Sequence, residues 1–131
     1  MKNFIVCSIN SVAENYIFLS KLRIELLQKG ELIIDDWIER SLIFKNISDV
    51  TPSFIYEEKR DYLKEALNNI IASDSIYFIF SKPSSYATTL FRYSIYHKKR
   101  IYILYNKVKY IPVFVPKKSI VIQNMSKYVF K

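Results

Sequence analysis

A single glycine, Gly30, occurs in the 131 residues. Gly-rich phosphate loops need several glycines for tight turns and close backbone approach, so P-loop and dinucleotide fingerprints are excluded. One cysteine, Cys7, excludes a disulfide framework within the chain. One histidine, His97, excludes a multi-histidine metal site, and its three cationic neighbours disfavour a further charge there. No apolar run approaches the ~20 residues that span a bilayer. Carboxylates are missing from an entire region. Asp74 is the last of 12 acids, and the 57 residues after it carry eleven Lys or Arg against none. The first 74 residues net −3 and the remainder +11, which gives the total of +8.

What is present describes one domain over residues 1–131. Half of the residues are hydrophobic, enough for a core without metals or disulfides. MKNFIVCSINS has too short an apolar run for a signal peptide and reads as a first strand, so a cytoplasmic location without membrane contact is expected. The pI near 9.5 and eleven tyrosines admit nucleic-acid binding, since phosphates attract the cations and bases stack on the rings.

Asn3–Ile9 is a buried-strand pattern. Ser11-Val12-Ala13-Glu14 has capping-box spacing, which predicts a helix to about Lys29 with Ile17, Leu19, Leu22, Ile24, Leu26 and Leu27 on its apolar face. Gly30 stands where a left-handed cap is wanted. Leu32–Ile34 reads as a second strand ending in Asp35-Asp36-Trp37. Residues 38–52 read as irregular or as containing a short helix. Thr51-Pro52 opens a helix whose stripe runs through Ile55, Tyr62, Ala66, Leu67, Ile70 and Ile71. Ser75–Phe80 is a third strand, Tyr86–His97 a helix, and Ile101–Tyr105 a fourth strand. Tyr110–Val115 and Ile120–Ile122 are extended, the latter a candidate fifth strand before a short terminal helix. Alternating apolar strands and helices predict an α/β fold: an open, doubly wound parallel sheet of five strands, flavodoxin-like, in the order 2-1-3-4-5.

Ligands of such folds bind outside the carboxyl ends of the strands, where strand order reverses. The segments there are Ser8, Asn10 and Ser11, then Asp35, Asp36 and Trp37, then Ser81, Lys82 and Ser84. A carboxylate can accept both hydrogen bonds of a ribose diol, and Trp37 can stack on a ring. Each also has a plainer role: Ser11 or Asp36 as a helix cap, Trp37 as packing. Two adjacent carboxylates are a weak cation signal, and no metal is expected. Cys7, inside a strand, reads as a small buried hydrophobe.

The IIDDW strand end and the helix-to-strand text YLKEALNNIIASDSIYFIFS, between an apolar first strand and a strand after a basic cluster, resemble a TIR domain over about residues 3–115. Nucleoside 2-deoxyribosyltransferases share the architecture and nearly the same text. The resemblance implies a nucleotide or nucleoside ligand such as NAD and a TIR-type protein partner, in defence or signalling, and exposed apolar surface could support a homodimer. Both families act at an N-glycosidic bond through a Glu on the helix after the third strand. Here that position falls on Tyr93 counted forward from Ser81, or on Leu90 counted back from Lys99, and neither is acidic. Three readings follow: a TIR-like nucleotide-binding or interaction module without NAD hydrolase activity; an N-glycosidic-bond enzyme using a displaced group (Asp35, Asp36 or Tyr93); and a basic nucleic-acid-binding protein.

Overall fold

The computed structural model describes residues 1–8, 11–38, 62–112 and 120–130. Strands β1 (Lys2–Cys7), β2 (Leu32–Ile33), β3 (Ser75–Phe80), β4 (Arg100–Tyr105) and β5 (Ile120–Asn124) form one sheet. All pair in parallel, in the order β2-β1-β3-β4-β5. This is the expected doubly wound arrangement. The described helices are α1 (Tyr16–Gln28), α2 (Tyr62–Ala72) and α3 (Ser85–Tyr96).

Registers are continuous across the sheet. Phe4 faces Ile76, which faces Ile101, which faces Ile120. Because β1, β3 and β4 are covered on both faces, both alternating sets of side chains are apolar. Ile76, Phe78, Ile79, Ile101, Ile103 and Leu104 are all buried. Each large side chain so buried contributes about 1.5–3 kcal/mol. Phe91 of α3 meets Phe78 and Phe80 edge-on, at 5.5 and 5.9 Å between ring centroids. On the opposite face, Tyr77 and Tyr102 stack as a registered pair 4.4 Å apart, toward α1 and the C-terminal segment.

α1 packs through Leu19, Leu22 and Leu26, the i, i+3, i+7 stripe of a helix. The expected apolar face was broader, but Ile17, Ile24 and Leu27 are exposed. The end of α1 follows the glycine argument. Gly30 has φ of 77°; its N–H donates to Leu27 O, and that of Glu31 to Leu26 O, the two bonds of a Schellman motif. The start of α1 departs from expectation. No capping box forms: the helix begins at Tyr16, with Asn15 as the N-cap residue and no side-chain cap bond.

α2 buries Ala66 and Ile70, while Ile71 is exposed. Its expected start at Thr51-Pro52, Ile55, and residues 39–52 of the irregular stretch lie outside the described residues. β5 extends to Asn124, and the expected terminal helix is a single 3₁₀ turn, Met125–Lys127. Extended structure was expected from Tyr110; Val108–Tyr110 is instead a 3₁₀ turn, and Val113–Val115 lie outside the described residues. No described helix is long and apolar enough to cross a membrane.

Candidate functional site at the strand carboxyl ends

The sheet reverses its winding between β1 and β3, and a polar cluster sits at the carboxyl ends of these two strands. Ser8 ends β1. Its hydroxyl lies 2.6 Å from that of Ser11, which donates to Ser8 O at 3.0 Å. Asn15 Nδ2 donates to Ser11 O at 2.9 Å and to Ser81 Oγ, just past β3, at 2.6 Å. Ser81 Oγ in turn donates to Glu14 Oε1 at 3.4 Å, and Glu14 Oε2 lies 3.6 Å from Lys82 Nζ. Asn106, past β4, reaches Ser81 O at 3.5 Å.

This network explains the missing capping box. Glu14 turns to the end of β3 instead of reaching back to the backbone of Ser11. Ser11 spends its hydroxyl on Ser8, and Asn15 spends its amide on Ser81. Two residues that local rules assign to a helix start, Glu14 and Asn15, are held by a long-range partner, Ser81. Ser8, Ser11, Asn15 and Ser81 are all buried. They form a satisfied platform beneath Glu14 and Lys82, whose side chains are 45% and 46% exposed. Of the residues expected to contact a ligand, Lys82 is therefore accessible, while Ser8 and Ser81 act from below. Asn10 lies outside the described residues.

The Asp35-Asp36-Trp37 segment has partners on α1, α2 and β1. Asp35 has φ of 48° and accepts from Asn69 of α2 at 3.3 Å. Asp36 pairs with Arg23 of α1 at 2.8 Å, with both side chains mostly buried. The adjacent carboxylates thus diverge to different helices. Trp37 is 2% exposed and donates from Nε1 to Ile5 O at 2.9 Å. Its indole is core packing that ties the end of β2 to β1, rather than an open stacking face.

Tyr93 lies on α3, eight residues past its first residue, or about 12 Å along the axis. Helices of a parallel sheet run back toward the strand amino ends, so this is the end away from the cluster. Its ring packs 4.3 Å from that of His97. Leu90 is wholly buried. Cys7 is also buried, 3.2 Å from Ser11 Oγ, and burial pushes its thiol up from 9.0 to about 12, so it stays protonated and unreactive at neutral pH. Among the described residues, no cluster of three or more His, Cys, Asp or Glu can hold a metal ion.

A groove of about 660 Å³ opens beside the cluster. Lys82 belongs to both. The groove runs along α3 between the loop after β3 and the turn after β4, and its wall includes Arg92, Lys109 and Tyr110.

Sequence reasoning missed Glu14, Asn15 and Asn106 as members of the site. Glu14 had a sufficient local explanation as a capping residue, and only the pairing of β1 with β3 brings it to Ser81. No protein-family model matches the chain, and a search of curated proteins likewise finds no match.

Proposed function

We propose that the chain is a TIR-like nucleotide-binding module that holds its ligand at the junction of β1 and β3 without hydrolysing it. The observation that carries this reading is the Glu14–Lys82 pair, accessible above a buried network at the point where the sheet reverses. A carboxylate there suits a ribose diol, and an adjacent ammonium suits a phosphate. The network fixes both: Ser81 holds Glu14, and Asn15 holds Ser81. Loss of turnover fits α3, which carries no carboxylate. The two family registers fall on a core leucine and on a tyrosine remote from the cluster.

A second reading has one observation in its favour. Glu14 is itself a carboxylate at the reversal point, so an N-glycosidic-bond enzyme with a displaced acid would use Glu14 rather than Asp35, Asp36 or Tyr93. Stabilising an oxocarbenium-like centre is work that glycosidase carboxylates perform.

One titration and one assay separate the readings. NAD and ADP are titrated against the protein and its Glu14→Gln variant, and nicotinamide release from NAD is followed at high protein concentration. The binding reading expects saturable binding, weakened at least tenfold in Glu14→Gln, with no release. Release lost in Glu14→Gln would establish the second reading. Absence of binding by either nucleotide would remove both.

A further inference from the structure

The groove beside α3 has a chemistry of its own. Its lining combines Lys82, Arg92 and Lys109 with the hydroxyl-bearing Ser84, Ser85 and Thr88, and among the described residues it includes no acidic side chain. The three cations come from three places: the loop after β3, the second half of α3, and the turn after β4. Their convergence follows from the topology, since β3 and β4 are neighbours whose carboxyl ends open on the same side. Like charges gathered around one cavity repel each other, and an anion in the cavity relieves that repulsion.

The rest of the lining is apolar. Phe80, Phe91 and Ile95 form the floor, and Tyr110, Ile111 and Pro112 the far wall. Lys109 Nζ already sits 5.2 Å from the centre of the Tyr110 ring, so a cation and an aromatic face are presented together. Ser84 caps α3, accepting from Ala87 N at 3.1 Å, and leaves the positive end of a 12-residue helix at the groove mouth.

We propose that this groove is the phosphate subsite of an organic phosphate, with the diphosphate of a nucleotide between Lys82, Arg92 and Lys109. The assignment rests on the nucleotide reading above and deepens it. Lys82 is the hinge between the two parts, 3.6 Å from Glu14 on one side and lining the groove on the other. The nucleoside sits over Glu14, and the phosphates extend along α3. The acid-free sequence after Asp74 supplies every described residue of the groove.

The test is calorimetric titration with adenosine, ADP, inorganic pyrophosphate and a short single-stranded oligonucleotide, on the unaltered protein, Arg92→Gln, Lys109→Gln and Glu14→Gln. Arg92 and Lys109 are exposed, so their variants are expected to fold normally, as checked by thermal melting. ADP is expected to bind at least tenfold more tightly than adenosine. Arg92→Gln and Lys109→Gln should each remove most of that advantage and leave adenosine binding unchanged. ADP binding that depends on Glu14 but not on Arg92 or Lys109 would overturn the subsite and leave the nucleotide reading standing. Pyrophosphate binding that depends on Arg92 and Lys109, with ADP no better, would uphold the anion groove and overturn the nucleotide reading. An oligonucleotide that outcompetes ADP with a steep loss in salt would overturn both in favour of nucleic acid.

Discussion

Asn15 donates a 2.6 Å hydrogen bond to Ser81 across 66 residues of sequence. The bond joins the start of α1 to the end of β3, and both residues are buried. Asn15→Ala should leave Ser81 with one partner fewer in a dry environment, at a cost of about 1–3 kcal/mol. With Ser81 less firmly held, Glu14 should also hold a ligand less well. Thermal melting and ADP titration of Asn15→Ala check both effects. A stability loss with intact affinity would confine the bond to a structural role.

Gly30 offers a cleaner stability test. A side chain there meets nothing within 4 Å, so the only obstacle is φ of +77°. Gly30→Ala should therefore cost about 1 kcal/mol, and Gly30→Asn less, because asparagine tolerates left-handed backbone. Denaturant unfolding of both variants gives the comparison. Equal costs would point to something other than backbone conformation.

Gly30 also shows where the sequence is legible. A lone glycine after an amphipathic run states its own role, because only local backbone geometry is involved. The strand order was legible for a similar reason: β3 and β4 are apolar on both faces, as only strands covered on both sides are. The polar cluster at the sheet reversal was legible in part: Ser8, Ser11, Ser81 and Lys82 were named by the strand-end rule, and Glu14, Asn15 and Asn106 were not. Glu14 satisfied a local rule that the tertiary fold overrides. Trp37 and Asp36 looked available because a sequence does not show that Ile5 O and Arg23 take up their polar groups.

Tyr128 donates to Glu25 Oε2 at 2.6 Å, and Glu25 is a buried carboxylate on α1. Tyr128 also packs edge-on to Phe18, with ring centroids 5.6 Å apart. The contact fastens the segment after β5 onto α1. Tyr128→Phe keeps the ring packing and removes a charge-assisted hydrogen bond, so about 1–3 kcal/mol should be lost. Glu25→Gln removes the acceptor charge, which Lys29 Nζ also meets at 3.6 Å. A double-mutant cycle in urea measures the coupling, and zero coupling would refute the contact's role.

The Cys7 thiol sets an alkaline limit on stability. Burial raises its folded pKa to about 12 from 9.0. A raised folded pKa means that the protonated thiol stabilises the fold fully below pH 9, and that this contribution is lost progressively from pH 9 toward 12. Burial pushes the Tyr77 and Tyr128 phenols up as well, so they act in the same direction. Unfolding free energy should fall by about 1.4 kcal/mol per pH unit for the thiol alone in that window. Cys7→Ala should flatten the decline, and thiol labelling at pH 8 should proceed only at the rate of unfolding. Fast labelling of the folded protein would contradict the burial.

Restoring a carboxylate to α3 tests why the helix lacks one. Leu90→Glu places a charge at a wholly buried position, and an unpaired buried carboxylate should destabilise the fold by roughly 3–5 kcal/mol. Tyr93→Glu should fold, since position 93 is half-buried near the end of the helix. It should nevertheless give no nicotinamide release from NAD, because about 12 Å of helix separates it from the start of α3. Melting of both variants and a release assay on Tyr93→Glu check these outcomes. Release by Tyr93→Glu would place a glycosidic bond at the lower end of α3, away from Glu14.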